Sequence, residues 1–248
     1  MLILLPPSET KARPSRGAPM RVDALSFPEL TGRREEVIDA VINASGLEDA
    51  LRILYVPSTL GAEVEGNLAI RTRPARPALE IYQGVLYDAL DAPSLSPGGR
   101  RRAARRLVIS SAVYGAVRAG DRIAPYRASM CAHLPEVGKL AHRWKESLDP
   151  VLSAAAGKGL IVDCRSGEYA ATWRPTGALA ERWVAVRVPG ASHMAKHTRG
   201  LVARMLCESD ADPRRPAGLI PLLENDFRIE LHEPAKPGAG WTLDVLPH

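Results

Sequence analysis

Four short polar clusters in this sequence hold the residue types that bind anions and move protons. The first is Pro6-Pro7-Ser8-Glu9-Thr10-Lys11. The second is Ser110-Ser111-Ala112-Val113-Tyr114-Gly115, running on to Asp121-Arg122 and Pro125-Tyr126-Arg127. The third is Asp163-Cys164-Arg165-Ser166-Gly167-Glu168-Tyr169, and the fourth is Ser192-His193-Met194-Ala195-Lys196-His197-Thr198-Arg199-Gly200. Together they supply cations (Lys11, Arg122, Arg127, Lys196, Arg199), hydroxyls (Ser8, Ser111, Tyr114, Ser166, Tyr169) and carboxylates (Glu9, Glu168). Cations and hydroxyls of this kind hold a phosphate or carboxylate through charge-assisted hydrogen bonds. If the site is catalytic, Lys11, Glu168, Tyr169 and Lys196 are the groups able to transfer a proton.

Sharper motifs are missing. There is no G-x-G-x-x-G, no Walker loop and no G-x-S-x-G elbow. His193 and His197 are four apart and could share a helix face, but Ala195-Lys196 stands where a zinc protease needs its glutamate, so no metal is expected. Cys164 ends an apolar run, which suits a small buried residue; neighbouring Arg165 is the one feature that would favour a reactive thiolate there.

Each cluster follows an apolar run that reads as a buried strand: Leu2 to Leu5, Leu107 to Ser111, Leu160 to Cys164, and Trp183 to Val188. Helical spacing of apolar residues occupies Arg33 to Asn43, Leu79 to Leu90, Leu134 to Leu152 and Met194 to Leu206. Strands alternating with helices give an α/β fold, and no composition break divides residues 1–248, so one domain with a central sheet flanked by helices is expected. Ligands of such sheets bind beyond the carboxyl ends of the strands, where the four clusters would gather. Residues 10–32, rich in Pro, Gly and Ser, should wrap the surface.

Composition sets the outer bounds. The chain has 248 residues, 46% hydrophobic and 5% aromatic, which excludes a disordered tail, a collagen and a disulfide scaffold. Three scattered cysteines form no C-x-x-C pair, and the apolar start stops at Pro6 after too few residues for a leader or a membrane span, so a soluble cytoplasmic protein is expected. The net charge is +5, carried by 27 Arg against 6 Lys. Residues 71–127 hold 11 Arg and 4 acids, a surplus of +7, including the run Arg100 to Arg106 at the end of a helix. That run favours the helix dipole and also suits a phosphate-facing stripe.

The stretches MLILLPPSETK, YQGVLYDAL, SSAVYGAVRAGDRIAPYR, VDCRSGEYAATWRP and SHMAKHTRGLVAR resemble the YaaA family of peroxide stress proteins, in its actinobacterial-type branch. The resemblance spans nearly the whole chain. It implies a mixed-sheet α/β domain of the cantaloupe type with a positively charged cleft and a helix-hairpin-helix-like excursion. It also implies double-stranded DNA binding and protection against peroxide damage, partly by limiting free iron. No cofactor is expected. Carried across, the family's motif positions fall at Ser8, Lys11, Tyr87, Ser111, Tyr114, Gly115, Asp121, Tyr126 and Arg127. They continue at Asp163, Ser166, Tyr169, Lys196, Arg199 and Gly200. The sequence departs from the family at Val188-Pro189-Gly190-Ala191, too short for the usual β-hairpin, at Ala112-Val113, and at Leu54 to Ala69, where the hairpin-helix pattern lacks its apolar frame.

Two readings therefore stand open. One is a stress protein whose basic cleft contacts duplex phosphates. The other is an enzyme acting on a small anionic or nucleotide-like substrate, as a specialised paralogue would. The residues do not fix the oligomeric state.

Overall fold

Apolar runs too short to cover themselves must be covered by their neighbours, and here they stack into one sheet. A computed structural model describes residues 1–165, 167–190, 192–236 and 238–246, without the side chains of Ser192 and His193. Its principal elements are β1 (Leu2–Leu5), α1 (Thr31–Ser45), α2 (Val85–Leu90), α3 (Pro97–Arg106), β2 (Leu107–Ser111) and β3 (Gly115–Arg118). They continue with α4 (Leu140–Ala156), β4 (Ile161–Asp163), α5 (Gly167–Ala171), β5 (Trp183–Arg187), α6 (Ser192–Glu208), β6 (Arg228–His232) and β7 (Trp241–Leu246).

The seven strands form one mixed sheet in the order β6-β7-β5-β4-β1-β2-β3. The five inner strands are parallel, and β3 and β6 close the two edges antiparallel. Helices flank the sheet, which is the expected α/β arrangement. All of β1, β2 and β4 is buried, as a sheet covered on both faces requires. Among the described residues no helix is long and apolar enough to cross a membrane.

The chain leaves β1 towards β2 on one side and leaves β4 towards β5 on the other. Their connections diverge, which makes the carboxyl ends of β1 and β4 the switch point, the place at which α/β sheets bind ligands. The two ends lie level: Leu4 pairs with Asp163, and the Cys164 amide donates to the Leu4 carbonyl at 2.9 Å.

Several boundaries differ from the periodicity. The helix expected over Leu79 to Leu90 is two short helices, Ala78–Ile81 and α2, because Tyr82 leaves the helix to bridge Lys11 and Gly84 takes a φ of 99°. The helix expected from Leu134 begins only at Leu140; His133–Leu134 and Gly138–Lys139 form a ribbon whose turn Pro135 and Gly138 shape. Leu54 to Ala69 folds into single helical turns rather than two packed helices. The shortened connection at 188–191 falls partly outside the described residues.

Residues 10–32 do cross the surface, but Met20, Val22, Leu25 and Leu30 are buried beneath them. Arg34 fastens this excursion. Its fully buried guanidinium donates to the carbonyls of Tyr114 (3.1 Å), Ala116 (2.8 Å) and Ser26 (2.7 Å). Burial lowers its pKa to about 10, which still leaves it protonated. Asp121 completes the anchor by accepting from the Ser26 hydroxyl at 2.7 Å and the Arg118 amide at 2.8 Å. Asp121 is thereby a structural residue.

Two family-motif glycines have a steric explanation. Gly115 has a φ of +72°, and a Cβ there would lie 2.6 Å from Trp144 Cε3. Gly200 lets α6 close on α2; a Cβ there would overlap the Leu86 carbonyl and lie 2.8 Å from Ala89 Cβ.

Candidate functional site

Pro6 and Pro7 end β1, because proline has no N–H to continue the ladder. The released segment then pairs sideways: Lys11 bridges Tyr82, and the Ala12 amide donates to the Ile81 carbonyl at 2.8 Å. Tyr87 ties the turn down through its hydroxyl, which donates to the Pro6 carbonyl at 2.7 Å. Ser8 accepts the Gln83 amide at 3.0 Å and donates to the Thr10 carbonyl, so it shapes the loop.

This geometry lodges the Lys11 amine among aromatic rings. Nζ lies 4.3 Å from the Tyr126 ring centre and 5.5 Å from that of Tyr82. It donates to the Ser8 carbonyl at 2.7 Å and to the Glu9 carbonyl at 3.4 Å. Burial, then the Arg127 charge, lowers the amine from 10.5 to about 7, with Glu9 opposing. The ring faces also favour the ammonium form. The amine is therefore poised between its two states near neutral pH.

Hydroxyls belong to the same cluster. Ser111 donates to the Tyr126 hydroxyl at 2.9 Å, and that oxygen lies 3.3 Å from the Tyr82 hydroxyl. Tyr114 packs edge-on against Tyr126 at 5.3 Å, sends its amide to Ser111 Oγ at 3.0 Å and its hydroxyl to the Ala124 carbonyl at 2.8 Å. Tyr82 and Tyr87 stack at 5.5 Å. Burial raises the pKa of Tyr82, Tyr87, Tyr114 and Tyr126, so these hydroxyls keep their protons at neutral pH.

Arg127 follows Tyr126 directly. Its guanidinium donates to the Glu9 carbonyl at 2.7 Å and meets the Glu9 carboxylate at 3.2 Å, with 12% of the side chain exposed. Asn67 sets its backbone, accepting the Arg127 amide at 2.7 Å and donating to its carbonyl at 2.8 Å. Nothing in the local sequence marks Asn67 for that task.

The β4 loop arrives from the other side of the switch point. Arg165 and Asp163 form a buried pair, 0% and 2% exposed, through contacts of 2.9 and 2.8 Å. The same guanidinium donates to the carbonyls of Tyr169 (3.0 Å) and Trp173 (2.7 Å), fixing α5 over the strand ends. Burial, the Tyr126 hydroxyl and the carboxylates of Glu168 and Glu9 push the Tyr169 hydroxyl well above its usual range. Glu168 is exposed, while Ser166 lies outside the described residues. Cys164 is buried and its thiol is pushed up to about 12, which overturns the reactive-thiolate option. Arg165 is committed to Asp163 and two carbonyls instead.

The fourth cluster joins less closely. Arg199 is half-buried and donates to the Val186 carbonyl at 3.2 Å, with its charge near Cys164. Lys196 is exposed on α6, and among the described residues neither it nor Arg199 hydrogen-bonds to the Lys11 group. Arg122 serves the ribbon of Arg76–Pro77 with Arg122–Ile123, donating to the Ala75 carbonyl at 2.6 Å. The structure thus gathers Ser8, Lys11, Tyr87, Ser111, Tyr114, Tyr126, Arg127 and Tyr169, and leaves Arg122 outside.

The His193 side chain lies outside the described residues, so the His193–His197 pair has no geometry here. On the terminal hairpin, Glu230, His232 and Asp244 bring ligand atoms within 4.8 Å of one another. Arg187 already grips Asp244 there, with Nε 2.6 Å from Oδ1, and would repel a cation. Behind Tyr82 and Tyr87 runs a cleft of about 710 Å³ that reaches Arg100 and Ala103 on α3. That volume suits a small molecule.

Most of the arginine surplus is spent on structure. Arg102 donates to the carbonyls of Cys207 and Glu208, and Arg106 to those of Leu206, Ser209 and Ala211, so together they cap the end of α6. Arg71 pairs with Glu35 and Asp39, while Arg73 and Arg118 bond the Gly66 and Arg105 carbonyls. Arg76, Arg100, Arg101 and Arg105 are exposed and make no side-chain hydrogen bond or ion pair among the described residues.

A family model described as "Peroxide stress protein YaaA" matches residues 1–230. A UPF0246 protein of Streptomyces coelicolor is 45% identical over 257 residues, covering 100% of this chain and 99% of the relative. One from Corynebacterium efficiens is 41% identical, covering 84% of this chain and 86% of the relative. One from Salinispora tropica is 30% identical, covering 96% and 92%.

Proposed function

The chain belongs to the YaaA family of peroxide stress proteins, and from that premise we propose that it serves in peroxide stress by binding a small anionic molecule at the switch point of its sheet. One observation carries this reading: the Lys11 amine and the Arg127 guanidinium lie close together beside a cluster of tyrosine and serine hydroxyls past the ends of β1 and β2. Cations recessed among tyrosines suit a ligand that enters the protein. A duplex presents its phosphates on a broad convex surface and meets exposed cations instead.

Thermal shift with inorganic phosphate and with small carboxylates tests the reading. A ligand at a hundred times its Kd adds about 2.7 kcal/mol of stability. At roughly 2–4 °C per kcal/mol for a chain of this size, that is a rise on the order of 5–10 °C. The rise should vanish in Lys11→Met and Arg127→Gln. If no small anion stabilises the wild type, the reading falls.

A second reading, duplex DNA binding, is favoured by Arg100, Arg101 and Arg105, which lie exposed on the single helix α3, with Arg76 also exposed. Four phosphate contacts give a log–log salt slope of about −3.6, a loss of roughly a hundredfold between 50 and 200 mM salt. Anisotropy of a labelled duplex at those two concentrations checks it. A slope near zero sinks it, as does an unchanged slope in a variant with all four arginines replaced by glutamine.

A further inference from the structure

We infer that Lys11 is a nucleophile that forms an imine with a small anionic carbonyl compound, an oxo acid, whose carboxylate Arg127 holds beside the Tyr82–Tyr126 cluster. This rests on the anion-site reading above and adds the chemistry of the ligand. The supporting geometry is what surrounds Nζ. Its hydrogen bonds go to two backbone carbonyls, and the nearest carboxylate, that of Glu9, is turned to Arg127 at 3.2 Å. A lysine kept for structure is normally paired with a carboxylate or extended into water. This one is walled by Tyr82 and Tyr126, at 5.5 and 4.3 Å from the ring centres. Against the pull of the rings, burial and the neighbouring Arg127 charge lower its pKa to about 7, so a free-base fraction is available at neutral pH, as Schiff-base lysines require.

The step balances without an oxidant or reductant. The free amine adds to the carbonyl carbon, a C–N bond forms, and the carbonyl π pair moves to oxygen. A proton passes from nitrogen to that oxygen, giving a carbinolamine. A phenol lends a proton to its hydroxyl, water leaves as the nitrogen lone pair forms the C=N bond to Lys11, and the iminium N–H returns the proton to the phenolate. The hydroxyls of Tyr126, Tyr82 and Ser111, linked at 3.3 and 2.9 Å and kept protonated by burial, are the acids at hand for the departing water. The guanidinium of Arg127 offers the carboxylate a counter-charge on the Glu9 side of the amine.

Six lysines in the chain make the test clean. The whole protein is incubated with glyoxylate and cyanoborohydride, which reduces an imine to a stable carboxymethyl-lysine, and the adducts are mapped by peptide mass spectrometry. Lys11 should be modified on the order of tenfold or more faster than Lys139, Lys145, Lys158, Lys196 and Lys236. Its rate should rise through about pH 7 and then level off. Glycolate, which has the carboxylate but no carbonyl, separates the two ideas. If glycolate stabilises the wild type but not Arg127→Gln, and Lys11 labels no faster than the other lysines, the nucleophile is refuted and the anion site stands. If neither glycolate nor glyoxylate binds, the anion-site reading fails and the inference falls with it.

Discussion

Replacing Asp163 by Asn tests whether the buried Arg165 pair is what fixes one wall of the site. In the wild type, Arg165 spends four hydrogen bonds on the carboxylate and on the Tyr169 and Trp173 carbonyls, and Trp183 adds an indole N–H to Asp163 at 3.1 Å. With exposures of 0% and 2%, water cannot replace the lost charge. Leaving one partner of a buried pair charged and alone costs about 3–5 kcal/mol. At roughly 2–4 °C per kcal/mol, the melting temperature should fall by about 6–20 °C. Arg165→Met should cost a similar amount, because the carboxylate and two carbonyls then lose their donor. The double variant Asp163→Asn/Arg165→Met removes both charges, so its loss should be smaller than the sum of the singles by about 2 kcal/mol or more. Urea unfolding followed by tryptophan fluorescence measures this, since Trp173 and Trp183 both touch the pair. A coupling below about 0.5 kcal/mol would refute the reasoning. So would an Asp163→Asn protein that melts within a degree or two of the wild type.

Gly200→Ala should destabilise the protein by about 1–3 kcal/mol through overpacking of α6 on α2, and a melting temperature equal to the wild type would show that the helices slide apart freely. Lys11 sets a pH dependence with a definite sign. Its folded pKa lies near 7 against an ordinary 10.5, so between those values the unfolded chain holds more protons and stability rises with pH. Lys11→Met should remove a slope of at most about 1.4 kcal/mol per pH unit in that window, and parallel profiles for the two proteins would contradict the assignment. A thiol reagent at pH 8 should leave Cys164 and Cys207 untouched in the native protein and modify the half-buried Cys131 only slowly, its thiol being raised to about 11. Rapid native labelling of Cys164 would overturn the burial argument.

The α/β class, four of the five parallel strands and the polar clusters that follow them are legible in the residues alone. Those are local properties: a run such as Leu2-Ile3-Leu4-Leu5 must be buried on both faces whatever surrounds it, and Pro6-Pro7 must end it. The remaining parallel strand, Trp241–Leu246, has no such signature, because Thr242 and Asp244 interrupt its apolar run, and it is a strand by virtue of pairing with β5 on one side and β6 on the other. Residue fates were likewise decided in three dimensions. Arg102 and Arg127 are the same residue type in the same basic segment. One caps a helix about a hundred residues downstream, and the other bonds Glu9 with its charge close to Lys11. Asn67, Tyr82 and Arg34 have neighbours in sequence that mark no role for them, yet they set the Arg127 backbone, wall in the Lys11 amine and anchor the surface excursion. A charged group's role depends on which carbonyl, carboxylate or ring lies within about 3–6 Å of it. Those partners come from distant parts of the chain, so only the packed structure could assign them.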